Sequence, residues 1–357
     1  GYRDESLIWQ SESAREFVQY TVEQDYPVVL WELGNEVNAF QLMHGFSISG
    51  AELATEFAQL RAVVDEEDPG TPIGGPASAF WPALGEPFAV IPDFLSAGGG
   101  DDIDVITWHY YPQQSRRCIA GTRPAGPEVM LDPANLDEAL IWVEHLETLR
   151  DASAPGLPIW LGETGNAQCG GEPGVSDAFA GCFWWLDQLG ALARRGHQIV
   201  VRQTLSGSNY GLINDESLEP KPDYWISLLW RRLMGTGVLD VTVSDDENLR
   251  AYAHCARGEG ATGITMVLIN LDQEQNVDVM LDGGQTGARE VHLITAAGLE
   301  ATELLHNETT IALADDGSVP ALEPSNESQN GDGRIVRLPP ISMAFVTLSD
   351  LDASACQ

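Results

Sequence analysis

The sequence predicts the C-terminal part of a (β/α)8 barrel over residues 1–235, followed by a β-sandwich over residues 236–357. Two observations support this α/β plus all-β organisation. Up to about residue 235, apolar strand-like runs alternate with helix-like stretches, a pattern typical of β/α units around a parallel sheet. Beyond it, alternating strands are separated by turns rich in Gly, Asp, Asn and Pro, which indicates an antiparallel sandwich.

In the first part, a helix is predicted over residues 11–24, and a second from a cap at Ser176 to a stop at Gly196. Parallel strands are predicted at 28–33, 71–75, 104–111, 158–163 and 198–205. Five strands are too few to close an eight-stranded barrel. We therefore expect about three further β/α units upstream, on an N-terminal fragment that completes the barrel.

In the second part, strands are predicted at 238–243, 250–256, 263–271, 291–295, 309–314 and 341–348. Residues 315–332, rich in Gly, Pro, Ser and Asn, are predicted to form a long surface loop. No internal repeat is evident.

The chain carries 54 acidic and 18 basic residues, a net charge of −36. Such a surface repels phosphate backbones and anionic membranes, so nucleic-acid partners are not expected. Its simplest consequence is solubility. No run of about 20 apolar residues predicts a transmembrane segment. Because the sequence starts at Gly1, we interpret it as processed or truncated, and the missing signal peptide does not indicate the compartment.

Two predicted strands end in glutamate, at Glu36 and at Glu163, with Gly34 and Gly162 close before them. Reactive groups of α/β barrels cluster where strands end. Cleavage of an acetal with retention needs two carboxyl groups about 5–5.5 Å apart, one protonated and one ionised. A lone strand-end glutamate is more often an ion-pair or cap residue, but two of them favour a catalytic pair.

The residues around these glutamates resemble glycoside hydrolase family 79, the heparanase and β-glucuronidase family of clan A. The resemblance spans nearly the whole chain and rests on collinear segments: WELGNEVN at 31–38, VITWHYY at 105–111, WLGET at 160–164, SDAF at 176–179 with WLDQLG at 185–190, RQ at 202–203, NY at 209–210, PDYW at 222–225, AHC at 253–255, INL at 269–271, LP at 338–339 and AC at 355–356.

The resemblance implies a role for each site residue. Glu36 is expected to be the general acid/base and Glu163 the nucleophile. Tyr111 should donate to Glu163 and favour its ionised form, and Asn35 should bond the sugar 2-hydroxyl. The remaining substrate contacts that it implies are Asn38, His109 with Trp108 beside it, and Gln203. From the residues alone, a core histidine held by a backbone carbonyl is the favoured explanation of His109.

A glucuronic acid needs donors aimed at its carboxylate, which in this family come from a glycine-rich loop and a tyrosine. The matching positions are Gly170 and Gly171, which follow Cys169, and Tyr210. Consecutive backbone N–H groups in such a turn can bind an anion; the alternative is a mobile glycine loop. The chain departs from the family at Val37, where proline is usual, and at 79–82, where basic residues that bind sulfate are replaced by AFWP. Arg116 and Arg117 are the nearby basic pair, so tight binding of a densely sulfated chain is not expected.

The resemblance thus implies an enzyme that hydrolyses β-glucuronide linkages in glycans or polysaccharides by double displacement. No cofactor or metal is expected, because two carboxyl groups and water suffice. Two alternatives stay open: a clan-related β-glycosidase of other sugar specificity, and a non-catalytic polysaccharide-binding relative. A chromogenic β-glucuronide discriminates among them.

The five cysteines lack the spacing of metal sites or redox motifs. Cys255 and Cys356 match family cysteines, which implies a disulfide that holds the C-terminal tail against the sandwich. Cys118 and Cys169 follow neighbouring strands and form a second candidate pair, which would leave Cys182 buried in its helix. Disulfides persist in oxidising compartments, so a secreted or extracytoplasmic location is expected, a lysosome-like one in a eukaryote.

Overall fold

The computed structural model describes residues 2–119, 121–244, 246–258, 262–281, 289–327, 335–349, 351 and 353–356. Within these ranges, helices α1 to α7 span Glu12–Glu23, Phe40–Met43, Gly50–Glu67, Ile91–Ser96, Pro133–Ser153, Phe179–Arg194 and Pro222–Leu233. Short 3-10 helices cover Val37–Ala39, Gly99–Asp101, Glu128–Leu131 and Ser354–Cys356. Strands β1 to β19 span Tyr2–Arg3, Trp9–Gln10, Trp31–Glu32, Ile73–Phe80, Val105–Tyr110, Gln113–Gln114, Ile159–Thr164, Ala167–Gln168, Val200–Arg202, Met234–Leu239, Leu249–Ala256, Ile264–Asn270, Val277–Met280, Arg289–Thr295, Leu305–His306, Thr309–Thr310, Ser325–Glu327, Ile335–Leu338 and Ser342–Leu348.

The chain divides into two compact units. The first, the parallel-sheet unit, comprises residues 1–111, 139–164 and 196–202; the second, the antiparallel-sheet unit, comprises 112–138, 165–195 and 203–357. The predicted boundary at residue 235 lies close to the start of β10, where the antiparallel strands begin. Several loops and helices between the parallel strands, at 112–138, 165–195 and 203–235, belong to the second unit and not to the first. The domain boundary at residue 235 therefore stays a prediction.

The parallel-sheet unit contains the five predicted strands in one parallel sheet, ordered β3-β4-β5-β7-β9. Every residue of β4 and β5 is buried, as expected for strands covered on both faces. The sequence therefore predicted the parallel sheet correctly. Because all five strands run the same way, their C-terminal ends lie along one edge, and that edge carries the candidate site.

In the antiparallel-sheet unit, one sheet has the order β10-β11-β12-β19-β14-β15-β16, and β17 adds to β14. Strands β13 and β18 form a second, two-stranded sheet. Buried residues of both sheets share one apolar core, among them Leu268 and Val346 of the first sheet and Val336 and Leu338 of the second. Two layers around a common core are the arrangement that the alternating strands predicted.

Several details differ from the sequence predictions. The helix expected to start at a Ser176 cap begins at Phe179, because the Ser176 hydroxyl bonds to Asn166 and Glu172 instead. The strand predicted at 309–314 is only Thr309–Thr310. Strands β13 and β18 were not predicted. The predicted loop at 315–332 contains β17, and its last residues, 328–332, lie outside the described residues.

A search of the described helices finds none that combines the length and the apolar character needed to cross a bilayer.

Candidate active site

Glu36 follows the short edge strand β3 in a left-handed conformation, with φ of 50°. Gly34 also has a positive φ, and a side chain there would press against Val37. The Glu36 N–H donates to the carbonyl of Ala77 at 2.9 Å. A left-handed non-glycine residue is uncommon and persists where surrounding contacts impose it. The turn therefore fixes the Glu36 backbone against the neighbouring strand β4.

Asn38 supplies a second attachment of this turn. Its side-chain amide donates to the carbonyls of Ala79 and Pro87 at 2.9 and 3.0 Å, and its Oδ1 accepts the Ala79 N–H at 3.0 Å. The residue is only 2% exposed. The expected substrate contact of Asn38 is therefore wrong, because the side chain is committed to backbone groups and is not accessible to a sugar.

Glu163 reaches the same edge through a bulge in β7. Trp108 pairs with Leu161, and the next residue, His109, pairs with Glu163, so Gly162 is an extra residue. In a regular strand without a bulge, Leu161 and Glu163 are two residues apart and would point to the same face of the sheet. The bulge turns Glu163 to the face of His109, a common use of a bulge beside a functional site.

The two glutamates and His109 converge. One side-chain ligand atom of each lies within 4.8 Å of those of the other two. His109 Nδ1 hydrogen-bonds Glu36 Oε1 at 3.1 Å and lies 3.9 Å from Glu163 Oε2. The Tyr111 hydroxyl donates to Glu163 Oε1 at 2.7 Å. The structure thus brings together four of the residues that the sequence singled out.

The two glutamates differ in exposure from the aromatic residues beside them. The side chains of Glu36 and Glu163 are 22% and 25% exposed, whereas His109 is 3% exposed and Trp108 is fully buried. Trp108 donates its indole N–H to His197 within the core. The expected contact of His109 and Trp108 with the sugar is therefore wrong, because both side chains are buried; His109 contacts the glutamates instead.

Among the described residues, Glu36, His109 and Glu163 also form a group that could offer three ligand atoms to a metal ion. Two carboxylates and an imidazole suit several divalent cations. The same spacing suits cleavage of an acetal with retention, in which one carboxyl group attacks the anomeric carbon and the other protonates the leaving oxygen.

The other predicted contacts lie in the antiparallel-sheet unit or are exposed. Asn35 is exposed and Gln203, which directly follows β9, is half-buried. Residues Cys169, Gly170 and Gly171 all have positive φ, of 61°, 86° and 76°. The Gly171 N–H donates to the Ala167 carbonyl at 3.2 Å. This corrects the prediction that two free consecutive N–H groups face an anion, because that of Gly171 is already bonded.

Arg116 and Arg117, considered above as sulfate contacts, bind protein groups. Arg116 pairs with buried Glu172. Burial raises the pKa of Glu172, but bonds from the Arg116 N–H and side chain and the Ser115 hydroxyl outweigh burial, so the pKa is lowered overall. Arg117 donates to the Gly170 and Gly171 carbonyls and to Asn209. The role of Arg117 was missed, since contacts between distant segments leave no local pattern.

Both candidate disulfides are present. Cys255 pairs with Cys356 and Cys118 with Cys169, with Cα–Cα distances of 5.4 and 5.5 Å. Cys182 is buried and lies outside these two disulfides.

The parallel sheet and the pair of carboxylates at its C-terminal edge define the class of protein, a glycoside hydrolase. The chain belongs to glycosyl hydrolase family 79: residues 4–190 match the model of the N-terminal domain of that family. It is 31% identical to heparanase from Gallus gallus, over 99% of this chain and 67% of that protein. It is 28% identical to inactive heparanase-2 from Homo sapiens, over 99% of this chain and 61% of that protein.

Solved structures share the fold at low identity. CelM2, a bifunctional glucanase-xylanase from a metagenome library, matches 96% of this chain and 69% of its own chain, with a TM-score of 0.70 and 16% identity. The GH51 α-L-arabinofuranosidase of Thermotoga petrophila matches 95% and 73%, with a TM-score of 0.69 and 13% identity. The chain spans about two thirds of the length of the relatives reported.

Proposed function

We propose that this protein is a retaining β-glycosidase that cleaves β-linked glucuronides, with Glu36 as general acid/base and Glu163 as nucleophile. The observation that carries the proposal is the approach of the two carboxylates, whose ligand atoms lie within 4.8 Å of each other. Retaining enzymes hold their carboxyl groups about 5–5.5 Å apart, whereas inverting enzymes need about 6.5–9.5 Å to admit a water molecule.

The hydrogen bonds support the assignment of roles. The Tyr111 hydroxyl donates to Glu163 Oε1 at 2.7 Å and thereby orients the carboxylate proposed to attack the anomeric carbon. In the first step, that carbon forms a bond to a Glu163 oxygen while Glu36 gives its proton to the leaving oxygen. In the second step, Glu36 takes a proton from water, which attacks the same carbon and releases Glu163. Two inversions at one carbon give net retention.

His109 is then a positioning residue. It hydrogen-bonds Glu36 and lies within 4 Å of Glu163, so it holds the acid/base in place beside the nucleophile. Asn35 and Gln203 are proposed to bond sugar hydroxyls, where such bonds strengthen in the transition state. Both proposals rest on the family resemblance and on the position of these residues at or just after a parallel strand.

Recognition of the uronate is proposed for the Gly170 N–H and the Tyr210 hydroxyl. Family membership supports this, as does the glycine turn itself. The natural polymer is proposed to carry little sulfate, because the net charge is −36 and both Arg116 and Arg117 are engaged with protein groups. A polyanion of high charge density would be repelled by such a surface.

Two further proposals concern the whole protein. We propose that about three β/α units outside this chain complete the barrel, since the parallel sheet of the described residues has five strands and a closed barrel needs eight. We also propose a secreted or extracytoplasmic protein, because two disulfides require an oxidising compartment to persist.

The alternatives make different predictions. A relative named inactive shows that membership alone does not guarantee catalysis, but the geometry of Glu36 and Glu163 favours an enzyme over a binding protein. A β-glycosidase of other specificity would use the same two glutamates but would not prefer a substrate that carries a uronate carboxylate.

The test is a comparison of chromogenic β-glucuronide, β-glucoside and β-xyloside on the full-length protein. We expect the glucuronide to be the best substrate. Tyr210→Phe should raise the barrier for the glucuronide by about 1.5–3 kcal/mol, the value of a hydrogen bond to a charged group, and leave the glucoside unaffected. Equal losses on both substrates would refute uronate recognition by Tyr210, and no hydrolysis of any of them would favour the binding protein.

A further inference from the structure

The turn Cys169–Gly171 has an unusual backbone. Three consecutive residues adopt positive φ, and the first of them is a cysteine with φ of 61°. A side chain at Gly171 would meet Ser176 and the Tyr210 backbone N–H at 2.8 Å, so the turn also packs tightly. A run of left-handed residues that includes a non-glycine residue persists only where its surroundings impose it.

Two neighbouring residues, Arg117 and Cys118, hold this turn, and we refer to them together with Cys169 as the turn clamp. Cys118 forms the disulfide with Cys169. Arg117 donates through Nη2 to the Gly170 carbonyl at 2.9 Å, to the Gly171 carbonyl and to Asn209 Oδ1 at 2.8 Å. A covalent bond and a guanidinium thus fix the turn from adjacent positions.

The clamp also attaches the segment that carries Tyr210. The Asn209 N–H donates to the Gly170 carbonyl at 2.9 Å, and the Asn209 side chain accepts from Arg117. Lys221 donates to the carbonyls of Ser208 and Asn209. Displacement of Gly170 would therefore move the residue that precedes Tyr210, and both carboxylate donors of the proposed function would shift together.

The base of the turn has its own support. Strands β6 and β8 pair beside it, and Glu172 binds Arg116 and Ser115 on its other side. Loss of the disulfide should consequently loosen the turn without unfolding the surrounding loops.

We propose that the turn clamp is a specificity determinant that preorganises the turn and the Tyr210 segment to receive a substrate carboxylate. The inference rests on the proposed function, because it concerns the same uronate. Cys169 is exposed and Cys118 half-buried, so the bond is open to a small dithiol reductant. Exchange would break the S–S bond, leave two protein thiols and convert the dithiol to its own disulfide. Specificity for the uronate is thereby sensitive to reduction.

The experiment compares three variants of the full-length protein with wild type on matched β-glucuronide and β-glucoside. They are Cys118→Ser/Cys169→Ser, Arg117→Met with the disulfide intact, and Cys255→Ser/Cys356→Ser as the matched disulfide control. For the first two, we expect KM for the glucuronide to rise about tenfold, as for loss of one charged hydrogen bond. Their kcat, and their KM for the glucoside, should stay within about twofold of wild type.

The control variant should keep the wild-type ratio of the two KM values. Treatment of wild type with a dithiol, checked by peptide mapping, should reproduce the first variant. If wild type prefers the glucuronide and both clamp variants keep that preference, the clamp inference is wrong and the proposed function stands. A wild type without preference for the glucuronide overturns both. If the double cysteine variant fails to fold, Arg117→Met and the dithiol treatment test the clamp inference by the same loss of preference for the glucuronide.

Discussion

The carboxylates of the two units have different environments. In the parallel-sheet unit, Glu36 and Glu163 remain about a quarter exposed; Glu36 hydrogen-bonds His109, and Glu163 accepts a hydrogen bond from Tyr111. In the antiparallel-sheet unit, Asp187 is fully enclosed between α6 and β11 and accepts a hydrogen bond from Tyr252 at 2.6 Å. A group that exchanges protons with a substrate must be accessible, whereas a buried group influences stability. Substitution of Glu36 or Glu163 should therefore abolish chemistry and spare folding, whereas substitution of Asp187 should change stability and spare chemistry.

The largest effect is expected from Glu163→Gln. The amide fills the same volume but cannot attack the anomeric carbon, so kcat should fall on the order of 10⁴-fold, as when one member of a catalytic set is removed. The midpoint of thermal unfolding should stay unchanged. Glu32→Gln is the matched control, because Glu32 is exposed on β3 in the same unit. An equal loss in the control, or full activity in Glu163→Gln, would contradict the assignment.

The disulfide between Cys255 and Cys356 gives the next effect, on stability. It closes a separation of 101 residues, and its removal by Cys255→Ser/Cys356→Ser should cost about 2–5 kcal/mol in the free energy of unfolding. Urea unfolding measures this, with Cys182→Ala as a control that removes a buried thiol but no cross-link. Activity at low temperature should persist. A free energy equal to that of the control would show that the bond contributes nothing.

The smallest effect is on the pH dependence of the free energy of unfolding, to which Asp187 contributes. Burial raises the pKa of Asp187 to about 6 against a usual 3.8, although Arg250 and Tyr252 act in the opposite direction and Asp137 adds to burial. Since the folded state binds the proton more tightly, Asp187 stabilises the fold below about pH 4, and this contribution is lost as the pH rises to about 6.

The pair of His292 and His306 has the opposite effect on how stability depends on pH. Nδ1 of His292 lies 2.9 Å from Nε2 of His306. Burial, the neighbouring His306 and Arg232 lower the pKa of His292 to about 4, and burial lowers the pKa of His306. These groups favour the folded state above their usual pKa of 6.5, and that contribution is lost as the pH falls towards 4. In wild type, as the pH rises from about 4 to about 6, Asp187 lowers the free energy of unfolding and the two histidines raise it.

Asp187→Asn should remove the pH dependence that Asp187 gives to the free energy of unfolding and leave that of the two histidines. The free energy of unfolding of the variant minus that of wild type should increase by about 1–3 kcal/mol as the pH rises from 4 to 7. Urea titrations at four pH values across this range measure the difference. Parallel curves for the two proteins would show that Asp187 does not titrate in this window.

The comparison also shows what a sequence can reveal. Glu36 and Glu163 were predictable because parallel strands end at one edge of the sheet, so strand-end residues meet. The role of Gly162 as the extra residue in a bulge was not predictable, because only the pairing of β5 with β7 reveals it. The sandwich strands β13 and β18 were missed because each has only four residues.

The buried groups were the least predictable. The contact of Tyr252 with Asp187 joins residues 65 positions apart, and that of Arg117 with Asn209 joins residues 92 positions apart. No local periodicity links such partners, because tertiary packing alone brings them together. The same reason explains why Asn38 was wrongly expected to contact the substrate.

The central claim is that Glu163 forms the covalent bond and Glu36 serves only as acid/base. Glu36→Ala with an activated aryl β-glucuronide tests it directly, since a good leaving group needs little protonation and the glucosyluronic intermediate on Glu163 then accumulates. Added azide should attack that intermediate from the side that Glu36 vacates, restore the rate and give the β-glucuronyl azide. The α-azide, identified by proton NMR, would mean a single displacement and would contradict the roles assigned to the two glutamates.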